Sequence, residues 1–66
     1  MTLSTTHRQI LRLIAQGYDT EGIAEELGVS EYTVRSHVRR IKLKVAHPTA
    51  RMPDLPERAR EQGVVF

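Results

Sequence analysis

Residues 20–38 read Thr20-Glu21-Gly22-Ile23-Ala24-Glu25-Glu26-Leu27-Gly28-Val29-Ser30-Glu31-Tyr32-Thr33-Val34-Arg35-Ser36-His37-Val38, and this stretch decides the fold. Asp19 just before it and Ser30 within it have short side-chain oxygens that can accept from a first-turn amide and so begin a helix. Ile23, Ala24 and Leu27 fall on one helical face, and Gly28 supplies the left-handed stop. Beyond Ser30, Val34, Val38, Ile41 and Val45 recur at spacings of four, three and four, a longer helical stripe. The pattern predicts a short helix over residues 20–27, a tight turn at Leu27-Gly28-Val29-Ser30 and a longer helix over residues 31–44. Small Ala24 lets the two helices approach closely, and Gly28 permits the positive backbone angle of the turn. Ile23, Leu27, Val29, Val34 and Val38 are expected to form the shared core. This is helix-turn-helix spacing. Gly22 costs about 1 kcal/mol relative to alanine inside a helix, which suggests a reason to keep that position small.

Working outward, Ser4 is a plausible cap for a helix over residues 5–16, with Ile10, Leu11 and Ile14 on its buried stripe, Leu13 beside them and Gly17 as its stop. On the other side the pattern breaks from Val45 to Pro53, where Pro48 and Pro53 forbid a continuous helix. Asp54 and Glu57 have the spacing of a capping box, and Pro56 is tolerable in a first turn. A short helix over residues 55–62 is expected, stopped by Gly63, with Val64, Val65 and Phe66 folding back onto the core. No strand-like alternation, internal repeat or low-complexity tract occurs. The expected fold is all-α: one four-helix helix-turn-helix domain over residues 1–66, with a shortened, proline-interrupted fourth helix.

Sixty-six residues leave room for one small domain, and 39% hydrophobic with 27% charged residues is a globular balance. The absence of cysteine excludes disulfide staples, thiolate metal sites and a cysteine nucleophile. His7, His37 and His47 are too far apart in sequence for a local metal-binding pair, so neither metal nor cofactor is expected. His7 and His47 read as surface or capping residues. No apolar run approaches the ~18 residues that cross a bilayer, and Met1 does not open a signal peptide, so a cytoplasmic location and no membrane partner are expected. Paired carboxylates, a glycine-rich phosphate loop and a nucleophile–base pair are all missing from the pattern, and an enzyme is not expected.

The net charge of +2 conceals a separation. Asp19, Glu21, Glu25, Glu26 and Glu31 lie in a segment without a basic residue, whereas Arg35, Arg39, Arg40, Lys42, Lys44 and Arg51 lie in one without an acidic residue. Such a run is often a solvated face. Here its placement says more: Tyr32, Ser36, Arg39 and Leu43 fall opposite the valine stripe, with Arg35 and Arg40 flanking. Arg35 and Arg39 are four apart and can reach neighbouring base pairs of a duplex, where a guanidinium bonds guanine bidentately for about 1–3 kcal/mol of discrimination. Arg40, Lys42 and Lys44 fan toward the sugar-phosphate rails. Thr20 can donate to a phosphate at its helix N-terminus. Tyr32 either bonds a phosphate or packs on the start of its helix, and Leu43 has no obvious core partner.

At these residues the chain resembles the LuxR-type helix-turn-helix domain. The likeness opens at Leu3-Ser4, continues through Ile10-Leu11-Arg12-Leu13-Ile14-Ala15-Gln16-Gly17 and Ile23-Ala24, and is densest over Leu27-Gly28-Val29-Ser30 and Thr33-Val34-Arg35-Ser36-His37-Val38, ending at Ile41 and Lys44. It implies a DNA-binding domain whose third helix enters the major groove. By position Arg35, Ser36 and Arg39 match the family's base-reading sites, and Ser30, Thr33 and Lys44 its phosphate-contacting or bracing sites. His37 matches a structural or backbone-contacting histidine. The chain departs from the family in carrying Thr6-His7 for the usual Arg-Glu, so a local charge network is missing, and Thr20 and Gly22 for Asn and Glu. The family's fourth helix is generally longer and often supplies a dimer surface; here Pro53 and Pro56 shorten it. The implied function is sequence-specific binding of double-stranded DNA in transcription regulation. A sigma-factor module of the region-four type and a protein-interaction adaptor on the same fold are the alternatives. A homodimer, RNA polymerase or another partner protein are the protein partners in view.

Overall fold

The computed structural model describes residues 3–45 and 50–66. In chain order it contains α1 (Thr5–Ala15), α2 (Thr20–Leu27), α3 (Glu31–Val45), a 3-10 turn at Met52–Asp54 and α4 (Leu55–Glu61), with no strand among the described residues. The first three helices begin on side-chain caps. Ser4 Oγ accepts from the His7 amide at 3.2 Å, Asp19 Oδ1 from Gly22 at 2.8 Å, and Ser30 Oγ from Thr33 at 3.1 Å. Each bond satisfies an amide that has no intrahelical partner, and its loss to alanine costs about 1 kcal/mol.

The turn between α2 and α3 needs glycine. Gly28 sits at φ +68°, a left-handed conformation that a side chain disfavours. Its amide donates to the Glu25 carbonyl at 3.3 Å, and the next amide, of Val29, donates back to Ala24 at 3.1 Å. This crossed pair satisfies the last carbonyls of α2 and reverses the chain. The same two bonds close α1 (Gly17 to Ile14, Tyr18 to Leu13) and α4 (Gly63 to Arg60, Val64 to Ala59).

The core is the meeting of the helical stripes. Ile10, Leu11 and Ile14 of α1 join Ile23 and Ala24 of α2, Val34, Val38, Ile41 and Val45 of α3, and Leu55 and Ala59 of α4, with Leu3 and Val64 at the edges. Full burial of an aliphatic side chain of this size is worth roughly 1.5–3 kcal/mol. α2 packs against α3, and α4 lies against both α1 and α3, so the long helix is braced on two sides. Gly22 is held small by its neighbours: an added Cβ would lie 3.2 Å from both the Asp19 Oδ1 that caps α2 and Cδ2 of Tyr18.

Several expectations are corrected. Val29 is 40% exposed rather than part of the shared core, because its backbone is turned by the bond to Ala24. Leu27 is only partly buried. α1 stops at Ala15 instead of 16 and α4 at Glu61 instead of 62, since Gln16 and Gln62 are already the capping residues, while α3 runs one residue further, to Val45. The capping box at Asp54 does not form. Asp54 has φ −87° and ψ −10° as the chain runs from the 3-10 turn into α4, and its side chain makes no cap bond. A capping carboxylate needs an extended backbone to reach forward to the first-turn amides. Val64 is buried and Phe66 half-buried beneath the Arg60 guanidinium, 4.9 Å from the ring centre, but Val65 is 85% exposed. His47 and Pro48 lie outside the described residues.

Candidate nucleic-acid interface

α3 is two-sided. Val34, Val38, Ile41 and Val45 face the core, and the opposite ridge is open to solvent, with Tyr32 73% and Leu43 63% exposed. Tyr32 does not pack on the start of its helix, so its hydroxyl is available outward. The Arg35 and Arg39 side chains are exposed on this helix, and Ser36 is half-buried between them in sequence. Arg35 Nη1 approaches Glu31 Oε1 at 3.7 Å, with both side chains more than half exposed. An exposed pair of this kind, one helical turn apart, is worth about 0.3–0.5 kcal/mol. It tethers the guanidinium without pinning it.

Along one flank of α3 runs a groove of about 590 Å³, lined by Thr20 from the start of α2, by Arg35, Val38, Arg39, Lys42 and Leu43 from α3, and by Met52 from the 3-10 turn. Its floor is apolar and its α3 side carries three cations. Of the residues expected at an interface, the fold thus gathers Thr20, Arg35, Arg39 and Lys42 into one place. The Thr20 hydroxyl donates to Met52 Sδ at 3.8 Å, a weak bond that a phosphate oxygen can replace. Met52 had no signal in the sequence, because it arrives from the far side of a proline-broken segment.

At the N-terminus of α3, Ser30 Oγ accepts from the Thr33 amide and donates to Thr33 Oγ1 at 3.0 Å. Ser30 is occupied within the cap, and the Thr33 hydroxyl proton is the one left for an outside acceptor. Arg40 and Lys44 are exposed on the other flank, close enough to His7 of α1 to act on its ring.

His7 is the main site residue that the sequence reading misplaced. It is 6% exposed rather than on the surface, and its Nε2 lies 3.1 Å from Nδ1 of His37, with the rings edge to face at 72° and centroids 5.1 Å apart. Burial holds the His7 ring below the ordinary histidine range, helped by the neighbouring His37, Lys44 and Arg40. The spacing 7, 10, 11, 14 continues the buried stripe of α1 back to His7, and that period was the available signal. No group of three metal-ligating side chains occurs among the described residues, and Arg40 and Lys44 disfavour a cation beside the pair.

No curated protein and no solved structure matches the chain. No helix among the described residues is long and apolar enough to cross a membrane. The family model described as bacterial regulatory proteins, luxR family, matches residues 1–50, which takes in α1, α2, the turn and all of α3. The chain belongs to the luxR family of bacterial regulatory proteins, a family of DNA-binding helix-turn-helix domains rather than of enzymes.

Proposed function

We propose that residues 1–66 act as one domain that binds double-stranded DNA at a preferred sequence and regulates transcription from it, with α3 in the major groove. Arg35, Ser36 and Arg39 read base edges, and Thr20, Ser30, Tyr32, Thr33, Arg40, Lys42 and Lys44 contact or brace against phosphates. The observation that carries this reading is the open outer face of α3, where Arg39 forms no ion pair among the described residues and Arg35 only a weak one. A duplex approaching this face meets guanidinium groups along the ridge and cations on both flanks. The apolar floor of the groove beside Arg35 and Arg39 suits the 5-methyl groups of thymine. We place this activity in the cytoplasm, with the DNA.

The reading does not rely on α4 for pairing. Leu55, Pro56 and Ala59 are all turned into the core, and the exposed residues of this helix are Glu57, Arg58, Arg60 and Glu61. A homodimer on adjacent half-sites would use another surface. The family match favours a regulator over a sigma-type promoter module, and retention on RNA polymerase core in a pull-down would reverse that preference.

Selection from randomised duplexes, followed by affinity measurements, tests the proposal. Arg39→Ala should weaken binding to the selected site by roughly 5- to 150-fold, the equivalent of ~1–3 kcal/mol, with a much smaller loss on random DNA. Lys44→Ala should lower both affinities alike and reduce the salt slope by about 0.9. Equal losses on both duplexes for Arg39→Ala would reduce that residue to a phosphate contact. No affinity at low salt would remove the reading altogether.

A further inference from the structure

His7 joins α1 to the helix that carries the arginines through a single ring-to-ring contact, 3.1 Å from Nε2 to Nδ1 of His37. A hydrogen bond between two imidazole nitrogens needs one to donate and the other to accept. If both rings become imidazolium, both nitrogens carry hydrogen, and attraction turns to repulsion. The environment offers no relief. His7 is buried, and its other nitrogen, Nδ1, has no hydrogen-bond partner among the described residues. Among the described residues, the groups that act on the ring are His37, Lys44 and Arg40, all on α3; no carboxylate of α2, α3 or α4 is among them.

We propose that the His7–His37 pair is a proton-sensitive latch between α1 and α3, closed while it holds at most one proton and opened when it must take a second, so that acidification loosens α3 and weakens DNA binding. The DNA half of this statement rests on the function proposed above; the latch itself does not. The sign follows from linkage. His7 in the folded chain is held below the value of 6.5 that it has when unfolded. As pH falls below 6.5 the unfolded chain takes up the proton first, so stability present above that pH is lost below it. For a single histidine this loss is at most about tenfold for each pH unit below that point. General electrostatics predicts the opposite trend for DNA, since added positive charge tightens phosphate binding. An affinity that falls on acidification is therefore diagnostic.

The test compares the wild-type chain with His7→Gln, which keeps a hydrogen-bonding amide and carries no charge, between about pH 7.5 and 5.5. Urea unfolding should show the wild type losing more in folding equilibrium over this range than the variant, by up to about tenfold. NMR titration of the ring signals should show the His7 ring taking up its proton below pH 6.5. Affinity for the selected duplex should fall with pH in the wild type and hold or rise in the variant. A His7 ring that takes up its proton at or above pH 6.5, or the same pH dependence of folding in wild type and variant, would overturn the latch. If His7→Gln does not fold, the wild-type ring titration decides by itself. If no duplex binds at any pH, the DNA reading fails while the unfolding and ring titrations still judge the latch.

Discussion

Glu31 holds back the arginine that the proposed interface needs, and replacing it with glutamine should separate stability from affinity. In the free protein Arg35 Nη1 lies 3.7 Å from Glu31 Oε1. At that distance the bare Coulomb term in water is ~1.1 kcal/mol. Side-chain ordering and solvent exposure reduce it to about 0.3–0.5 kcal/mol, as is usual for such pairs on a helix. Arg35 must leave this tether to reach a base, so Glu31→Gln should improve affinity for the selected duplex about twofold from release alone. Loss of a carboxylate facing the phosphates adds to the gain at low salt, and this part fades as the Debye length shrinks. Stability should move the other way. Glu31 sits in the first turn of α3, where a negative charge favours the helix dipole by about 0.3–1 kcal/mol, so the melting temperature should drop by a few degrees. Fluorescence anisotropy at about 50 and 200 mM salt, with thermal melts beside it, measures both. If affinity falls together with stability, Glu31 aims Arg35 rather than withholding it, and the reasoning is wrong. In an Arg35→Ala background the release component should vanish.

Gly22→Ala should leave the melting temperature within about 2 °C, although an open helical site would gain roughly 4–8 °C from the ~1 kcal/mol of added propensity. The new methyl meets the capping Asp19 carboxylate and the Tyr18 ring at 3.2 Å, and a full-sized gain in a melt would mean that these neighbours yield freely. Leu55→Ala should cost about 2–5 kcal/mol, a large part of the total for a chain of this size, and leave a sizeable unfolded fraction visible by circular dichroism in urea titrations. A cost under ~1 kcal/mol would show that α4 is a passenger on the other three helices rather than a brace for α3.

The fold could be read from local chemistry where the chain marks its own boundaries. Ser4, Asp19 and Ser30 each make the cap bond that their position promised, and Gly28 takes the left-handed turn. The valine stripe of α3 is buried as its period implied, and the outer ridge with Tyr32, Arg39 and Leu43 is open. What escaped the reading depends on contacts between distant segments or on backbone conformation. His7 looks like a surface residue by type; the α1 period carried its burial, but its partner His37, thirty positions away, had no local signal. Asp54 has the residue type and spacing for a cap, but the preceding 3-10 turn gives it a helical backbone. Met52 enters the groove wall from across a broken segment, which no periodicity reports. At the candidate interface, residue types and helix faces were legible. The tether of Arg35 to Glu31 and the engagement of Ser30 within its own cap required coordinates.

The crossed pair of bonds that ends α1, α2 and α4 bears on kinetics. Each of these helices has its C-terminal limit fixed within a few residues of its own sequence, so the chain need not search tertiary space to learn where a helix stops. Nascent helices can register before they dock, and docking then joins pieces already cut to length. A helical domain with such short-range instructions belongs among fast folders, on a microsecond-to-millisecond scale of about 10⁻⁶–10⁻³ s.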